Sequence, residues 1–175
     1  LRRLTEDLLA VARVSAGPGE APVTSVDLQA LTQEAVALVL AEAAARRVEF
    51  VQTGARAVVP GRGEDLLRLL RNLLENAVRH SPDGGVVRIE CEVQGAWTVL
   101  RVCDEGPGVA EADRERIFEA FYRGSSERAD NDFGTGLGLT IAREIARSHG
   151  GELELQRREG PGACFELRLP LPPLG

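Results

Sequence analysis

Phe133-Gly134-Thr135-Gly136-Leu137-Gly138-Leu139 sets three glycines at alternate positions and runs into an apolar, helix-patterned stretch from Thr140 to Ser148. Glycine lets backbone approach a ligand closely and adopt conformations closed to other residues. A helix that begins there directs unpaired N–H groups and the positive end of its dipole into the loop, an arrangement suited to a phosphate. Ligand-free glycine turns are common, so the weight of this stretch depends on what lies upstream. The strand–helix–strand alternation of a dinucleotide fold is missing around it, which rules out that reading of the glycines.

The 175 residues suffice for one core-bearing domain with an appendage, and a hydrophobic share of 43% suits a globular chain. No apolar run approaches a membrane span, and no signal peptide is visible. The chain begins at Leu1 and contains no Met, which suggests a piece of something longer. All 21 basic residues are arginine, so no lysine is available as a phosphate clamp. The net charge of −6 argues against nucleic acid as a partner. Cys91, Cys103 and Cys164 lack metal-ligand spacing and fall in strand-like runs. They are expected to be reduced thiols in a reducing, cytoplasmic compartment. His80 and His149 have no local ligand cluster, so zinc is not expected.

Leu1, Leu4, Leu8 and Val11 form a stripe over residues 1–16 that predicts a helix in need of a partner helix. The breaker-rich segment Ala16–Pro22 falls in a linker over 17–24. The main domain is expected over 25–170, with a tail at 171–175. Asp27 is a candidate N-cap for a helix from Leu28 to about Arg46. Short strands follow at Val48–Thr53 and Ala57–Pro60, then a helix at Glu64–His80. Val87, Ile89, Cys91 and Val93 alternate with polar residues, predicting a half-buried strand, and Trp97–Cys103 predicts its neighbour. Gly106–Thr135 is a long loop with a short helical stretch near Glu111–Phe118, a kind of segment that is usually functional. Helix Leu137–His149 and strands Glu152–Gln156 and Ala163–Leu169 close the domain. The pattern predicts an α/β (α+β) two-layer sandwich, with a mixed, mostly antiparallel sheet covered on one face by helices.

Three further segments carry candidate chemistry. On Glu64–His80, Leu66, Leu69, Leu70, Leu73, Leu74 and Ala77 share one arc; Arg68, Asn72, Glu75, Asn76 and Arg79 share the other. That polar arc could be a solvated face. Yet asparagine is a poor helix-interior residue, and two of them one turn apart aim their amides the same way. Such neutral oxygens suit a partly hydrated Mg²⁺ shared with phosphates. In Asp104-Glu105-Gly106-Pro107-Gly108, Asp104 is in phase with apolar Leu100 and Val102. An inward carboxylate is costly without a donor, and an exocyclic amine such as adenine N6 would serve. Phe118-Glu119-Ala120-Phe121-Tyr122-Arg123 holds three aromatics in a chain that is only 4% aromatic. It is either a clasp that pins the long loop or part of a lid, with Arg123 reaching a phosphate or partner.

In this order the four segments resemble the N, G1, F and G2 boxes of the catalytic, ATP-binding domain of sensor histidine kinases. These share a Bergerat-type fold with gyrase, mismatch-repair and chaperone ATPases. The resemblance covers residues 25–170 and rests on Asn72–Ala77, Asp104–Gly108, Phe118–Arg123 and Gly134–Leu139. It implies that Asn72 and Asn76 help hold Mg²⁺ and phosphates and that Asp104 reads adenine N6. Gly106 and Gly108 would allow close approach at the purine end. Gly134, Thr135, Gly136, Leu137 and Gly138 would line the phosphates, with residues 109–135 as the ATP lid. Arg79 stands where the family often has lysine, and a planar guanidinium is not a point charge.

Residues 1–16 resemble the end of the second helix of the family's dimerisation and phosphotransfer hairpin. The resemblance implies a homodimeric parent, a membrane sensor, that relays phosphate to a response regulator. The acceptor histidine belongs to the hairpin's first helix, and neither His80 nor His149 matches it. Hydrolytic relatives carry a glutamate one turn before the second asparagine, where this chain has Asn72. The expected activity is therefore transfer of the ATP γ-phosphate to a histidine on the hairpin. The alternatives are a nucleotide-sensing module without transfer, or an ATPase or serine-kinase relative.

Overall fold

The computed structural model describes residues 22–122, 135–158 and 160–172. The helix expected over 1–16, together with Arg123 and Gly134, lies outside them.

β1 (Thr24–Asp27) pairs antiparallel with β3 (Val58–Gly61) in a small two-stranded sheet. Asp27 then caps α1 (Leu28–Ala45), its Oδ1 accepting from Gln29 N at 3.0 Å and Ala30 N at 3.2 Å. Arg56 Nε at 2.6 Å from Asp27 Oδ2 pulls that carboxyl below its ordinary range, so the cap stays ionised. α1 buries Leu28, Thr32, Ala35, Val39 and Ala43, the three- and four-residue spacing of one helical face.

The main sheet has the order β2-β4-β5-β7-β6. Its strands are β2 (Glu49–Gly54), β4 (Val86–Gln94), β5 (Trp97–Cys103), β6 (Glu152–Leu155) and β7 (Cys164–Pro170). Only β2–β4 is parallel; β4–β5, β5–β7 and β6–β7 are antiparallel. α1, α2 (Gly63–His80) and α3 (Gly138–Ser148) form the second layer, with α2 packed between the other two. Leu69, Leu70, Leu73 and Leu74 of α2 join Ile89, Leu100, Val102, Phe165 and Leu167 of the sheet in one core. This is the expected two-layer α+β sandwich. α2 places Glu64 and Asp65 in its first turn and Arg79 and His80 in its last, complementing its dipole. Pro82 prevents further helix, and the Ser81 hydroxyl donates to Ala77 O at 2.8 Å.

The other face of the sheet is charged. Arg101 lies between Glu92 (Nη1 to Oε2, 3.2 Å) and Glu166 (Nε to Oε2, 2.7 Å), and Arg168 holds the second oxygen of Glu166 at 2.7 Å. Burial pushes the Glu166 carboxyl up, but the two guanidiniums outweigh it and hold it below its ordinary range. That pairing explains how a carboxylate can be 3% exposed on the polar side of a sheet.

Two expectations need correction. Val87, Ile89 and Cys91 are buried, but Val93 is exposed: β2 ends opposite Cys91, so among the described residues Val93 has no strand neighbour on that side, while its β5 partner Thr98 stays buried. The three cysteines are not all free. Cys103 and Cys164 are register partners across β5–β7 and form a disulfide. Reading the residues strand by strand could not show that pairing, because 61 residues separate them. Cys91 is free, and burial pushes its thiol up, as expected of an inert core thiol. Among the described residues no helix is long and apolar enough to cross a membrane.

Candidate functional site

α2 is the shared wall of the site. At its C-terminal end, the strand β5 delivers Asp104 to the inner side of the sheet, where it is 2% exposed. Its Oδ1 accepts from Gly106 N at 2.8 Å and Ala163 N at 3.1 Å, while Asp104 N donates to Ala163 O at 2.9 Å. These bonds fix the carboxylate between the turn after β5 and the start of β7. Its other oxygen, Oδ2, is buried without a partner. An unsatisfied buried carboxylate oxygen is expensive, and a donor from a ligand would remove the cost.

The turn that follows is held tightly. A Cβ on Gly106 would lie 2.3 Å from His80 O, so only glycine lets this turn close onto the end of α2. Glu105 accepts from Val86 N at 3.0 Å and Arg88 Nη1 at 2.8 Å. The Arg88 guanidinium is the main reason its carboxyl sits below the ordinary range. Gly108 packs against Gly162. Reasoning from the sequence gave Glu105 no task; its pairing partners are 17 and 19 residues away and are set by the β4–β5 register.

Eight residues back along α2, about 12 Å at helical rise, Asn72 is buried and donates from Nδ2 to Gly138 O at 3.1 Å. The amide thereby joins α2 to the first residue of α3, and its oxygen remains a neutral acceptor. Asn76 and Arg79 are half-buried on the same helix. The polar arc of α2 is thus an inner wall rather than a solvated face. Glu75 pairs with Arg71 one turn before it, Oε1 to Nε at 3.7 Å.

Leu137 precedes α3, and no side chain caps the helix start. The first-turn N–H groups therefore lack a side-chain acceptor. Thr135 Oγ1 accepts from Leu137 N only at 3.4 Å. Gly136 has φ +69, and a Cβ there would lie 2.9 Å from the Phe121 backbone. Phe121 N donates to Gly136 O at 2.9 Å, so the two flanks of segment 123–134 are tied together at its base.

The aromatic segment divides its labour. Phe118 is buried, edge-on to Phe165 at 6.2 Å, and its carbonyl accepts from Thr140 Oγ1 at 2.9 Å. The Tyr122 hydroxyl donates to Asp113 Oδ1 at 2.6 Å, and that carboxylate is the main cause that raises the phenol's pKa. Phe121 is 60% exposed at φ +65. Phe118 and Tyr122 are thus the clasp, and Phe121 is not.

The donor set fits the expected groups. A buried, partnerless carboxylate oxygen suits an exocyclic amine, and an uncapped helix start suits phosphate. Neutral carboxamide oxygens suit a hydrated Mg²⁺. Among the described residues no cluster of His, Cys, Asp or Glu could hold a metal by itself. A separate cleft of about 730 Å³ lies between Glu111–Phe118 and β6. Its Arg114, Arg143 and Arg157 already engage Leu155 O, Glu152 and Glu111, so it presents braced rather than free charge.

The family described as "Histidine kinase-, DNA gyrase B-, and HSP90-like ATPase" matches residues 61–173. Sensor protein CutS of Streptomyces coelicolor is 42% identical over 147 residues, 83% of this chain and 36% of CutS. Sensor protein SphS of Synechococcus elongatus is 35% identical over 98% of this chain and 43% of its own length. The chain thus spans less than half of these curated relatives. Among solved structures, the mycobacterial sensor histidine kinase MprB superposes with a TM-score of 0.77 at 29% identity. That match covers 86% of this chain and all of the MprB chain. Full-length ShkA in complex with AMPPNP gives 0.82 at 29% identity, over 96% of this chain and 35% of that one. By its matched residues and its relatives, the chain belongs to the histidine kinase-, DNA gyrase B- and HSP90-like ATPase family and carries its Bergerat fold.

Proposed function

We propose that this chain binds Mg²⁺-ATP and transfers the γ-phosphate to a histidine on a helical hairpin, as the catalytic domain of a two-component sensor kinase. The partnerless Oδ2 of Asp104 carries the reading. It calls for a donor such as adenine N6, deep in a pocket whose opposite end is an uncapped helix start. The about 12 Å of α2 between these ends matches the reach from a purine to its outer phosphates. The AMPPNP bound by ShkA, which is similar over 96% of this chain, supports the same ligand class.

Each residue then has a task. Asp104 accepts from the adenine amine, with Gly106 and Gly108 shaping the turn beneath the base. Gly134, Thr135, Gly136, Leu137 and Gly138 offer backbone N–H groups to the phosphates, and Arg79 and Arg123 supply positive charge near them. Asn72 and Asn76 hold Mg²⁺, which offsets phosphate charge when bound. The hairpin imidazole nitrogen attacks the γ-phosphorus, the bond to the β,γ-bridging oxygen breaks, and ADP leaves. Protein side chains contribute positioning and charge stabilisation. Asn72 stands where a water-activating glutamate would be needed, and Glu75 is engaged by Arg71. Hydrolysis without the hairpin should therefore be slow. The parent protein would be a homodimer signalling to a response regulator, with this domain on the cytoplasmic side of a membrane sensor.

The test mixes the 175-residue chain with a hairpin polypeptide that bears an acceptor histidine, and follows labelled phosphate into acid-labile phosphohistidine. Transfer should occur and should fall about a hundredfold in Asn76→Ala, the scale for losing one charge-stabilising group. Rapid ATP hydrolysis by the chain alone, indifferent to Asn76→Ala, would contradict the reading.

A further inference from the structure

We propose that Cys103–Cys164 is a redox site that sets the affinity of the adenine end of the pocket. The inference rests on the nucleotide reading above. Cys103 immediately precedes Asp104, and Cys164 immediately follows Ala163, whose N–H and C=O both bond Asp104. The disulfide therefore joins the two strands one residue before both contribute to the purine site. Because Asp104 N donates to Ala163 O at the next step, the cysteines fall at a non-hydrogen-bonded position of the ladder. Opposed side chains come closest there. The pair points to the charged, open face of the sheet, opposite Asp104, and Cys103 is only half-buried. Cys164 is buried, so an attacking thiolate would approach through Cys103, from the face away from the nucleotide site.

Beyond this staple the two chains are held by the Asp104–Ala163 hydrogen bonds and by packing. Gly162 sits against the Asp104 carbonyl, in the turn that leads into Ala163. Cutting the disulfide loosens the ends of β5 and β7, where Asp104 takes one of its two backbone donors from Ala163. The nucleotide must then order them as it binds, and affinity falls. In compartments kept reducing, a disulfide of this kind is usually transient or sensing rather than structural. The switch works by exchange with a small dithiol. Its thiolate attacks Cys103 Sγ, the Cys103–Cys164 bond breaks, and a mixed disulfide forms. The second thiol of the reagent then displaces Cys103. Both cysteines end as protonated thiols, and the reagent ends as its cyclic disulfide. A small-molecule disulfide such as oxidised glutathione reverses the reaction, accepting the two electrons as it becomes two thiols.

The test is calorimetry of AMPPNP binding to the 175-residue chain, first treated with oxidised glutathione and then reduced with dithiothreitol. Free thiols are counted in each state. We expect one free thiol, Cys91, in the oxidised chain and three in the reduced one. Affinity should be about fivefold weaker after reduction, the scale of ordering a short strand end. Cys103→Ala/Cys164→Ala should bind like the reduced chain in both conditions, and Cys91→Ala should respond like the parent. Three free thiols after oxidation, or equal affinity in the two states, would overturn the redox site and leave the nucleotide reading intact. Absence of AMPPNP binding in both states would instead overturn the nucleotide reading, and this inference with it.

Discussion

Asp104, the carboxylate proposed for the purine end, has two unequal oxygens. Oδ1 is satisfied by two backbone N–H groups, and Oδ2 waits for a donor. Truncation to alanine would confuse two effects, because it also orphans Gly106 N and Ala163 N. Asp104→Asn separates them, since the remaining oxygen can keep the backbone bonds while the new NH₂ faces the ligand. ATP affinity should fall by about tenfold to a hundredfold, the cost of opposing donor to donor in a buried site. A purine with an acceptor at position 6 should lose much less, and competition calorimetry with GTP reads the difference. Gly106 is a residue-scale constraint of another kind. Gly106→Ala sets a Cβ against His80 O, a backbone atom that cannot swing away. Stability should fall by about 1–3 kcal/mol, the range for overpacking, and urea unfolding measures it. The inward phase of Asp104 was legible from strand alternation. Its two backbone donors were not, because one of them, Ala163 N, arrives from the turn just before β7.

At the scale of elements, the helical layer depends on joints between α2 and α3. Asn72 forms one, through Gly138 O. His149 forms the other, beyond the end of α3. Its Nε2 accepts from Arg62 N at 3.0 Å, which fixes the proton on Nδ1, and Nδ1 donates to Ile145 O at 2.8 Å. Burial, the largest cause, pushes the imidazole below its ordinary value. The neutral ring is the folded form, so between that lowered value and about 6.5 the unfolded chain binds more protons. The stability contributed by His149 is therefore full above the unfolded value and is lost as pH falls through that window. Urea midpoints from about pH 7.5 to about pH 5 should decline for the parent, and less steeply for His149→Gln. An unchanged slope in the variant would remove His149 from the account. The sequence offered His149 only as a histidine without ligand partners. Its role depends on a residue 87 positions away, which periodicity cannot reach.

For the molecule as a whole, a pocket that joins the end of β5 to the start of α3 through α2 should couple ligand to global stability. At a hundredfold excess over the dissociation constant, Mg²⁺-AMPPNP should add about 2.7 kcal/mol. For a domain of this size that raises the melting temperature by roughly 5–10 °C, and a thermal shift assay reads it. Asp104→Asn should shift much less at the same concentration. The sequence by itself determined the layers, the bounds of the described helices to within a residue or two, and the four segments that the proposed site draws on. Those are written in local periodicity, in capping residues such as Asp27 and in glycines that no other residue replaces. Only the tertiary structure decided which oxygen of Asp104 is left unpaired, that the Asn72 NH₂ joins two helices, and that two of the three cysteines meet. Such facts depend on strand register and helix packing between residues far apart along the chain. Side-chain period fixes which face a residue takes, but not which partner stands opposite.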